Sequence, residues 1–245
     1  MASLLLPIIY LAFISLGLPD ALLGAAWPTM YPQLGAQVSW AGGVSMIISA
    51  CTILSALASD RLNERLGTGR VTAISVATTA AALLGFSFCH AFWQLCLWAI
   101  PYGLGAGSVD AALNHYVALH YKSRHMSWLH CMWGVGASLG PVIMGQALAG
   151  SGWQGGYRII GILQVVLTVA LLFSLPLWKL PQDAMGGEPF TPQHRSFPEL
   201  LKITGVPEVL VCFLCYCALE STAGMWASSY CTLVRGLDAQ TAASW

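Results

Sequence analysis

Long apolar segments constrain this sequence more than any other feature. A helix that crosses the hydrocarbon core of a bilayer needs about 20 mostly apolar residues. Seven segments meet this requirement, approximately residues 4–31, 38–58, 71–89, 92–119, 127–149, 157–178 and 206–234. Only 8% of the 245 residues are charged, whereas soluble domains carry about 25%. The sequence therefore predicts an all-α transmembrane protein, because lipid must cover most of such a surface.

The composition also excludes several classes of partner and cofactor. Ten basic and ten acidic residues give no net charge and no basic patch, so we expect no nucleic-acid partner. The eight cysteines are scattered through apolar segments, and neither they nor the histidines have the spacing of a metal site. We expect no metal and no cofactor, and we expect the lipid bilayer as a partner.

The positions of Lys and Arg predict the orientation of the spans. Eight of the ten basic residues follow the second, fourth and sixth segments, in alternate connections. They are Arg61, Arg65, Arg70, Lys122, Arg124, Lys179, Arg195 and Lys202. Since basic connections remain in the cytoplasm, we predict a multi-pass protein of the cell (inner) membrane with a cytoplasmic N-terminus.

A proline-rich stretch divides the chain into two parts. Residues 179–205 contain four prolines and several charges, which is typical of a linker. We predict an N-terminal six-helix bundle over residues 1–178 and a cytoplasmic linker over 179–205. The first helix of a second bundle and the start of the next helix then occupy residues 206–245.

Internal repetition supports this division. Asp20 and Gly24 in the first segment have the same spacing as Glu220 and Gly224 in the seventh, and a Trp and a Tyr follow in both. Such repeats are common in transporters. They predict a design of two six-helix halves, of which this sequence would contain the first half and the beginning of the second.

Three carboxyl side chains interrupt predicted spans, namely Asp20, Asp110 and Glu220. A charge near the bilayer centre costs about 2.5–3.5 kcal/mol or more, so such residues are candidates for function. Desolvation favours the neutral form of a carboxyl group, which can then exchange a proton when water reaches it from either side. We interpret these acids as proton-coupling or substrate-binding groups. The alternative is a structural role in hydrogen bonds between helices.

Asn114 shares a helix face with Asp110. Gly103, Gly107, Asp110 and Asn114 occur at positions i, i+4, i+7 and i+11, so a neighbouring helix can approach the glycines while the polar pair faces the same gap. An amide beside an acid offers both a donor and an acceptor to a hydroxyl-rich substrate. A hydrogen bond between helices is the alternative.

Three other side chains are possible substrate contacts. Trp27 and Trp226 lie at similar depths beyond the acids and could stack on a sugar ring. His130, in the fifth segment, could bind substrate or a proton. Packing between helices is the alternative for all three, and an interfacial position is a further alternative for the tryptophans. In the fifth segment, Gly136 and Gly140 also predict a closely packed helix pair.

The connection after the second segment carries mixed charges at Asp60, Arg61, Arg65 and Arg70, together with Gly67. We expect Asp60 to end one helix and Arg70 to start the next. Ion pairs there would hold the two helices in one arrangement, and their rupture would accompany a rocking motion. The alternative is a solvated turn.

We find no convincing catalytic set in the sequence. It contains no HExxH and no Walker loop, so we expect neither an enzyme nor an ATP-driven pump.

The stretch from Asp60 to Arg70 resembles the signature loop between helices 2 and 3 of the major facilitator superfamily, although Ala56 stands where Gly is usual. The stretch from Gly105 to Asn114 resembles the fucose-permease branch, which carries an acid and an Asn at the same spacing. That branch also has an acid in its first helix, which Asp20 would match. The Gly136–Pro141 pattern is similar to a motif common in drug exporters.

The resemblance implies a twelve-helix secondary transporter with two bundles, a central cavity and alternating access. It also implies sugar uptake coupled to protons, with Asp20 and Asp110 as the coupling and sugar-site acids and Asn114 as a sugar ligand. We therefore expect a monomeric symporter of the plasma membrane for a small polar solute. The alternatives are an exporter of drug-like solutes and an inactive, truncated membrane protein. Since the cavity of such a carrier lies between its bundles, we expect this chain alone to transport poorly.

Overall fold

The structure is a computed structural model that describes residues 2–179 and 197–244, and all regular secondary structure in these ranges is helical. The helices are α1 (Ala2–Gly17), α2 (Leu22–Gln33), α3 (Trp40–Leu66), α4 (Thr68–Phe86), α5 (Phe92–His120), α6 (Ser123–Leu148), α7 (Gly152–Ser174), α8 (Phe197–Leu200), α9 (Val206–Leu233) and α10 (Ala239–Ser244). A 3-10 helix, Leu175–Lys179, follows α7. The predicted all-α fold is confirmed. Residues 180–196 of the predicted linker, including Arg195, lie outside the described residues.

The helices agree with the predicted spans in number and place. Within the described residues, six helical segments are long and apolar enough to cross a membrane: Leu4–Gln33, Trp40–Leu66, Thr68–Phe86, Ser123–Leu148, Gly152–Trp178 and Val206–Leu233. The fourth predicted span is α5, which has 29 residues and is therefore about 43 Å long. Polar residues such as Asp110 and Asn114 lower its hydropathy, so it is not among the six.

The first span is interrupted, whereas the sequence predicted one continuous segment. Residues 18–21 form turns between α1 and α2. Pro19 has no N–H group to continue the helical ladder. The Asp20 N–H bonds to Gly17 O and the Leu22 N–H bonds to Pro19 O, both at 3.2 Å, and this spacing of three is that of a tightened turn. Asp20 is therefore carried on a turn inside the span.

Glycines bring neighbouring helices close together at two places. A Cβ atom built on Gly103 or Gly107 of α5 would overlap the carbonyl oxygens of Ile48 or Thr52 in α3. A Cβ atom on Gly136 or Gly140 of α6 would overlap those of Ile14 or Leu18, next to the interruption in the first span. The predicted close packing of both glycine pairs is therefore present, and α6 packs directly against the turn that carries Asp20.

After the predicted linker, the described residues 197–244 pack against residues 2–179 mainly at one end of the structure. Gly24 of α2 faces the Gly224 carbonyl of α9, so equivalent positions of the sequence repeat meet each other. The Ser228 hydroxyl donates to the Ala25 carbonyl at 3.1 Å. The first half of α9, residues 206–218, is mostly exposed. Residues 197–244 and 2–179 therefore pack against each other at the end away from the predicted linker, which we call the closed end. They are separated at the opposite end, the linker end.

Asp238 caps α10 and helps to position it at the closed end. Its carboxylate accepts hydrogen bonds from the Thr241 N–H at 2.8 Å and from the Thr241 hydroxyl at 2.6 Å. These bonds lower the pKa of Asp238, because they favour the charged form. The cap is therefore present above the ordinary Asp pKa, about 3.9, and is lost as the pH falls through the lowered value.

We expect Asp238→Ala to loosen α10, because the first N–H groups of a helix have no other intrahelical partner. Amide hydrogen exchange at residues 239–244 should become about fivefold faster at neutral pH. The exposed residue Gln240 on the same helix provides the control variant Gln240→Ala, which should leave exchange nearly unchanged. Equal exchange rates in Asp238→Ala and the unaltered chain would contradict the capping role.

Candidate functional site

Asp20 is held by two helices that are distant in sequence. Its Oδ1 atom accepts a hydrogen bond from the Tyr102 hydroxyl of α5 at 3.3 Å. Its Oδ2 atom accepts one from Trp133 Nε1 of α6 at 2.7 Å. The indole bond has the length of a strong hydrogen bond to a charged acceptor. Both oxygens thus have an aromatic donor, and the carboxylate is oriented from two sides.

The three acids predicted from the sequence lie on one cavity of about 540 Å³. Its lining residues are Phe13, Leu16, Asp20, Ile48, Thr52, Tyr102, Ala106, Asp110, His130, Trp133, Gly134, Phe213, Tyr216, Cys217 and Glu220. Asp20, Asp110 and Glu220 are all among these lining residues. Residues from five helices thus form a single acidic cavity with aromatic and apolar walls.

Asp110 has a polar partner on its own helix and a titratable neighbour across the cavity. Asn114 Nδ2 donates to Asp110 Oδ1 at 2.9 Å. His130 of α6 lines the same cavity as Asp110, and its ring packs edge-on against Phe13 at 6.0 Å between centroids. Asn114 is half-buried and is not among the residues that line the cavity. It contacts the acid in this conformation and orients its carboxylate.

Glu220 reaches the cavity from α9. The Tyr216 hydroxyl, one turn earlier, donates to Glu220 Oε1 at 3.0 Å, and both side chains are exposed. The segment after the linker therefore contributes a third acid and a phenol. Glu220 is held by a single neighbour on its own helix, whereas Asp20 is held by two other helices.

A second, smaller cavity is also lined by Asp20. It has a volume of about 90 Å³ and is lined by Asp20, Tyr102, Tyr157 and Met225 among others. Met225 belongs to the closed end, where α9 packs against Gly24. Asp20 thus lines both the large cavity and a small one that approaches the closed end.

The two tryptophans predicted as substrate contacts do not line the large cavity. Trp27 has an exposed fraction of 0%, and its Nε1 atom donates to the Val38 carbonyl at 2.7 Å. Trp226 is half-buried against the same apolar core. The helical rotation between the acids and these residues directs the indoles into the packing between helices.

The sequence of residues 9–245 matches the profile of the Major Facilitator Superfamily. The chain belongs to the Major Facilitator Superfamily. This is a family of multi-pass membrane transporters. The structure is similar to the crystal structure of a D-xylose-proton symporter, with a TM-score of 0.63 and 12% sequence identity. The match covers 98% of this chain and 63% of the symporter chain. No curated protein is similar enough in sequence to be matched to the chain.

The predicted switch loop of this facilitator is mostly helical. Asp60, Arg61 and Arg65 lie in the last turns of α3, so Asp60 does not end the helix as the sequence suggested. Gly67, with φ of 80°, makes the connection, because a positive φ suits glycine. Arg70 lies in the first turn of α4. The five predicted residues are all exposed.

Their charges are not paired in this conformation. Among the described residues, none of these four charged side chains has an ion pair within 4.0 Å. Asp60 and Arg65 are separated by more than one helical turn along α3, which leaves their side chains free in solvent. The ion pairs expected between the two helices therefore do not form here.

Among the cavity residues that were not predicted as site residues, four carry a hydroxyl or an indole N–H group: Thr52, Tyr102, Trp133 and Tyr216. Two of them had a usable signal. Trp133 follows His130 by three residues and Tyr216 precedes Glu220 by four, so each shares a helix face with a predicted site residue. Tyr102 and Thr52 face the cavity only because α3 and α5 pack together through Gly103 and Gly107, which sequence spacing alone does not define.

Proposed function

We propose that this chain forms the solute- and proton-binding part of a secondary active transporter. It would move a small polar solute, a sugar, together with protons by alternating access. One observation carries the proposal: Asp20, Asp110 and Glu220, from three separate segments of the sequence, converge on one cavity of about 540 Å³. Acids inside membrane spans are costly, and their meeting in a cavity is typical of ion and substrate pathways.

The position of Asp20 suits a proton-coupling group. It lines both the large cavity and the small one, and α9 contributes to each, so a modest movement of α9 would change the side from which water reaches Asp20. The donors Tyr102 and Trp133 stabilise the charged carboxylate, while a position within a membrane span disfavours a charge. A carboxyl group balanced between these influences can take up and release a proton within one transport cycle.

The chemistry of the large cavity suits a sugar. Its volume lies within the range of small-molecule sites, about 300–1,000 Å³. Asp110, Glu220 and His130 offer hydrogen-bonding groups to sugar hydroxyls, and Trp133 presents an aromatic ring beside them. The likeness to a D-xylose-proton symporter supports this assignment, as does the resemblance of the Gly105–Asn114 stretch to the fucose-permease branch. By analogy with that branch, Asn114 would become a sugar ligand once solute is bound.

The arrangement of the two parts suits a cytoplasm-facing state of the cycle. If the N-terminus and the linker are cytoplasmic, as the basic residues indicate, the closed end of the structure is external. The cavity then opens to the cytoplasm. We propose that the charges of Asp60, Arg61, Arg65 and Arg70 pair in the opposite state, in which the linker end closes.

Sugar binding to the purified chain in nanodiscs tests the assignment directly. We expect one of a panel of sugars to change the tryptophan fluorescence, because Trp133 lines the cavity. The change should largely disappear in Trp133→Phe and persist in the control variant Trp93→Phe, since Trp93 is 64% exposed on the surface. Asp110→Asn should weaken binding by about tenfold or more, because a hydrogen bond to a charged group contributes about 1.5–3 kcal/mol.

An exporter of drug-like solutes is the second candidate. Phe13, Leu16, Ile48 and Phe213 give the acidic cavity an apolar wall, which would also suit a lipophilic organic cation. If no sugar changes the fluorescence and a lipophilic cation does so through Trp133, the sugar assignment is wrong and export becomes the better hypothesis.

A further inference from the structure

Gln164 of α7 is an almost fully buried polar residue outside the cavity. Its exposed fraction is 2%, and its Nε2 atom donates a hydrogen bond to the backbone carbonyl of Ser15 in α1. A carbonyl oxygen can only accept, so this contact also defines which end of the amide faces α1. The span α7 thus reaches across the core to a single backbone group of the first span.

The Ser15 carbonyl needs this donor because of the residue four positions later. In a continuous helix its partner would be the N–H of residue 19. That residue is Pro19, which has no N–H. Ser15 itself is buried, so its carbonyl needs a partner from within the protein. Gln164 therefore supplies the hydrogen bond that Pro19 removes.

The interruption in the first span is thereby held from two sides. On one side, Gly136 and Gly140 of α6 lie against the carbonyl oxygens of Ile14 and Leu18. On the other side, Gln164 binds the carbonyl of Ser15. The turn that these contacts hold carries Asp20, whose carboxylate must meet its donors on α5 and α6.

A small void lies next to both Gln164 and Tyr102, one of the two donors to Asp20. It measures about 10 Å³ and is lined by Gln164, Thr79 and Tyr102 among others. This is about the space that one water molecule needs. Gln164 Oε1 has no hydrogen-bond donor among the described residues, and a water in the void would supply one.

We infer that Gln164 is a positioning residue for Asp20: it replaces the backbone hydrogen bond removed by Pro19 and so holds the interrupted span in the geometry that Asp20 requires. The importance of this role for transport rests on the proposed function of Asp20. The contact itself does not, and it can be tested without any solute.

A double-mutant cycle between Gln164 and Pro19 tests the inference. Gln164→Met keeps the length of the side chain and removes the donor, whereas Pro19→Ala restores an N–H group opposite the Ser15 carbonyl. We expect Gln164→Met to lower the thermal midpoint of the detergent-purified chain by about 4 °C. In the Pro19→Ala background, Gln164→Met should lower the thermal midpoint by less than half as much.

Infrared spectroscopy of the carboxyl groups separates positioning of Asp20 from a general effect on stability. A loss of stability alone would leave the Asp20 carboxyl band unchanged. The Asp20 band is assigned by difference from Asp20→Asn. We expect Gln164→Met to shift this band or its titration midpoint, and Pro19→Ala to reduce that shift. Gln154, half-buried on the same helix without a side-chain hydrogen bond to a described residue, provides the control Gln154→Met, which should leave the band unchanged.

The possible outcomes are distinct. If Gln164→Met folds only when it is combined with Pro19→Ala, the second substitution rescues the first completely, and this outcome would support the inference. Equal effects in both backgrounds, failure to fold in both, or an unchanged Asp20 band would overturn it. If the cycle and the band behave as expected while no solute binds, the proposed function fails and the positioning role of Gln164 stands.

Discussion

Asp20→Asn is expected to abolish proton-driven accumulation of the solute. The amide keeps the shape of the carboxylate and can still accept a hydrogen bond from Trp133 or Tyr102, but it cannot take up a proton. One coupled proton and a gradient of two pH units support accumulation of about 100-fold, since each unit corresponds to 1.36 kcal/mol. In vesicles that contain the natural protein at its full length, the variant should only equalise the two concentrations.

Two further variants make this result specific. Asp20→Glu keeps a titratable group in the cavity and should retain part of the accumulation. Glu64→Gln removes an exposed acid of α3 outside the cavity and should accumulate solute normally. Solute exchange without net proton movement should continue in Asp20→Asn, because the cycle can run with residue 20 permanently neutral. Undiminished accumulation by Asp20→Asn would remove this residue from the coupling mechanism.

Gly136→Leu is expected to have the largest effect on folding. A Cβ atom at this position would overlap the carbonyl oxygen of Ile14 and press against the backbone of Leu18. These are backbone atoms of the first span, at its interruption, so no side-chain rotation can relieve the contact. Overpacking of this kind costs about 1–3 kcal/mol or more, and we expect the thermal midpoint in detergent to fall by about 4–10 °C.

Gly134 on the same helix provides a matched control. A Cβ atom on Gly134 would meet no atom within 4 Å, so Gly134→Leu should change the thermal midpoint much less. Since Gly134 lines the large cavity, this control applies to stability and not to transport. Similar midpoints for Gly136→Leu and Gly134→Leu would show that α6 does not approach α1 as closely as described.

The helices could be predicted from sequence because their cause is local. Twenty apolar residues in a row can satisfy their backbone in a bilayer only as a helix, and the short polar connections mark where each helix ends. The hydropathy pattern predicts an end of α3 near residue 58, whereas the helix continues to Leu66. Its last turns carry charges, and a charged helix end can extend beyond the apolar part of the span, where hydropathy no longer marks it.

The interruption in the first span was not predicted, although its residues were visible. Pro19 lies within an apolar segment, and a proline in a membrane helix can cause anything from a slight kink to a break, depending on its neighbours. Here the break is stabilised by Gln164 and by the glycines of α6, which are more than 100 residues away. Such partners depend on the packing of the whole bundle.

The acids of the candidate site could be predicted from the sequence, whereas their aromatic partners could not. An acid inside a span is conspicuous in the sequence, and all three acids line the cavity. Their partners Tyr102 and Trp133 are less conspicuous, because aromatic residues are common in any membrane span. For the same reason, Trp27 was predicted as a possible sugar contact. Its indole ring could stack on a sugar, but it packs in the core. Rotation about the helix axis, which separates these cases, follows from tertiary contacts.

The most direct test of the account is solute-driven proton uptake by vesicles that contain the natural protein at its full length. No pH gradient is imposed, a panel of sugars is added, and the external pH is recorded. We predict that at least one sugar makes the medium alkaline, and that Asp20→Asn and Asp110→Asn abolish or strongly reduce this change. If no sugar moves protons in the unaltered protein, the proposal of a proton-coupled sugar transporter is wrong.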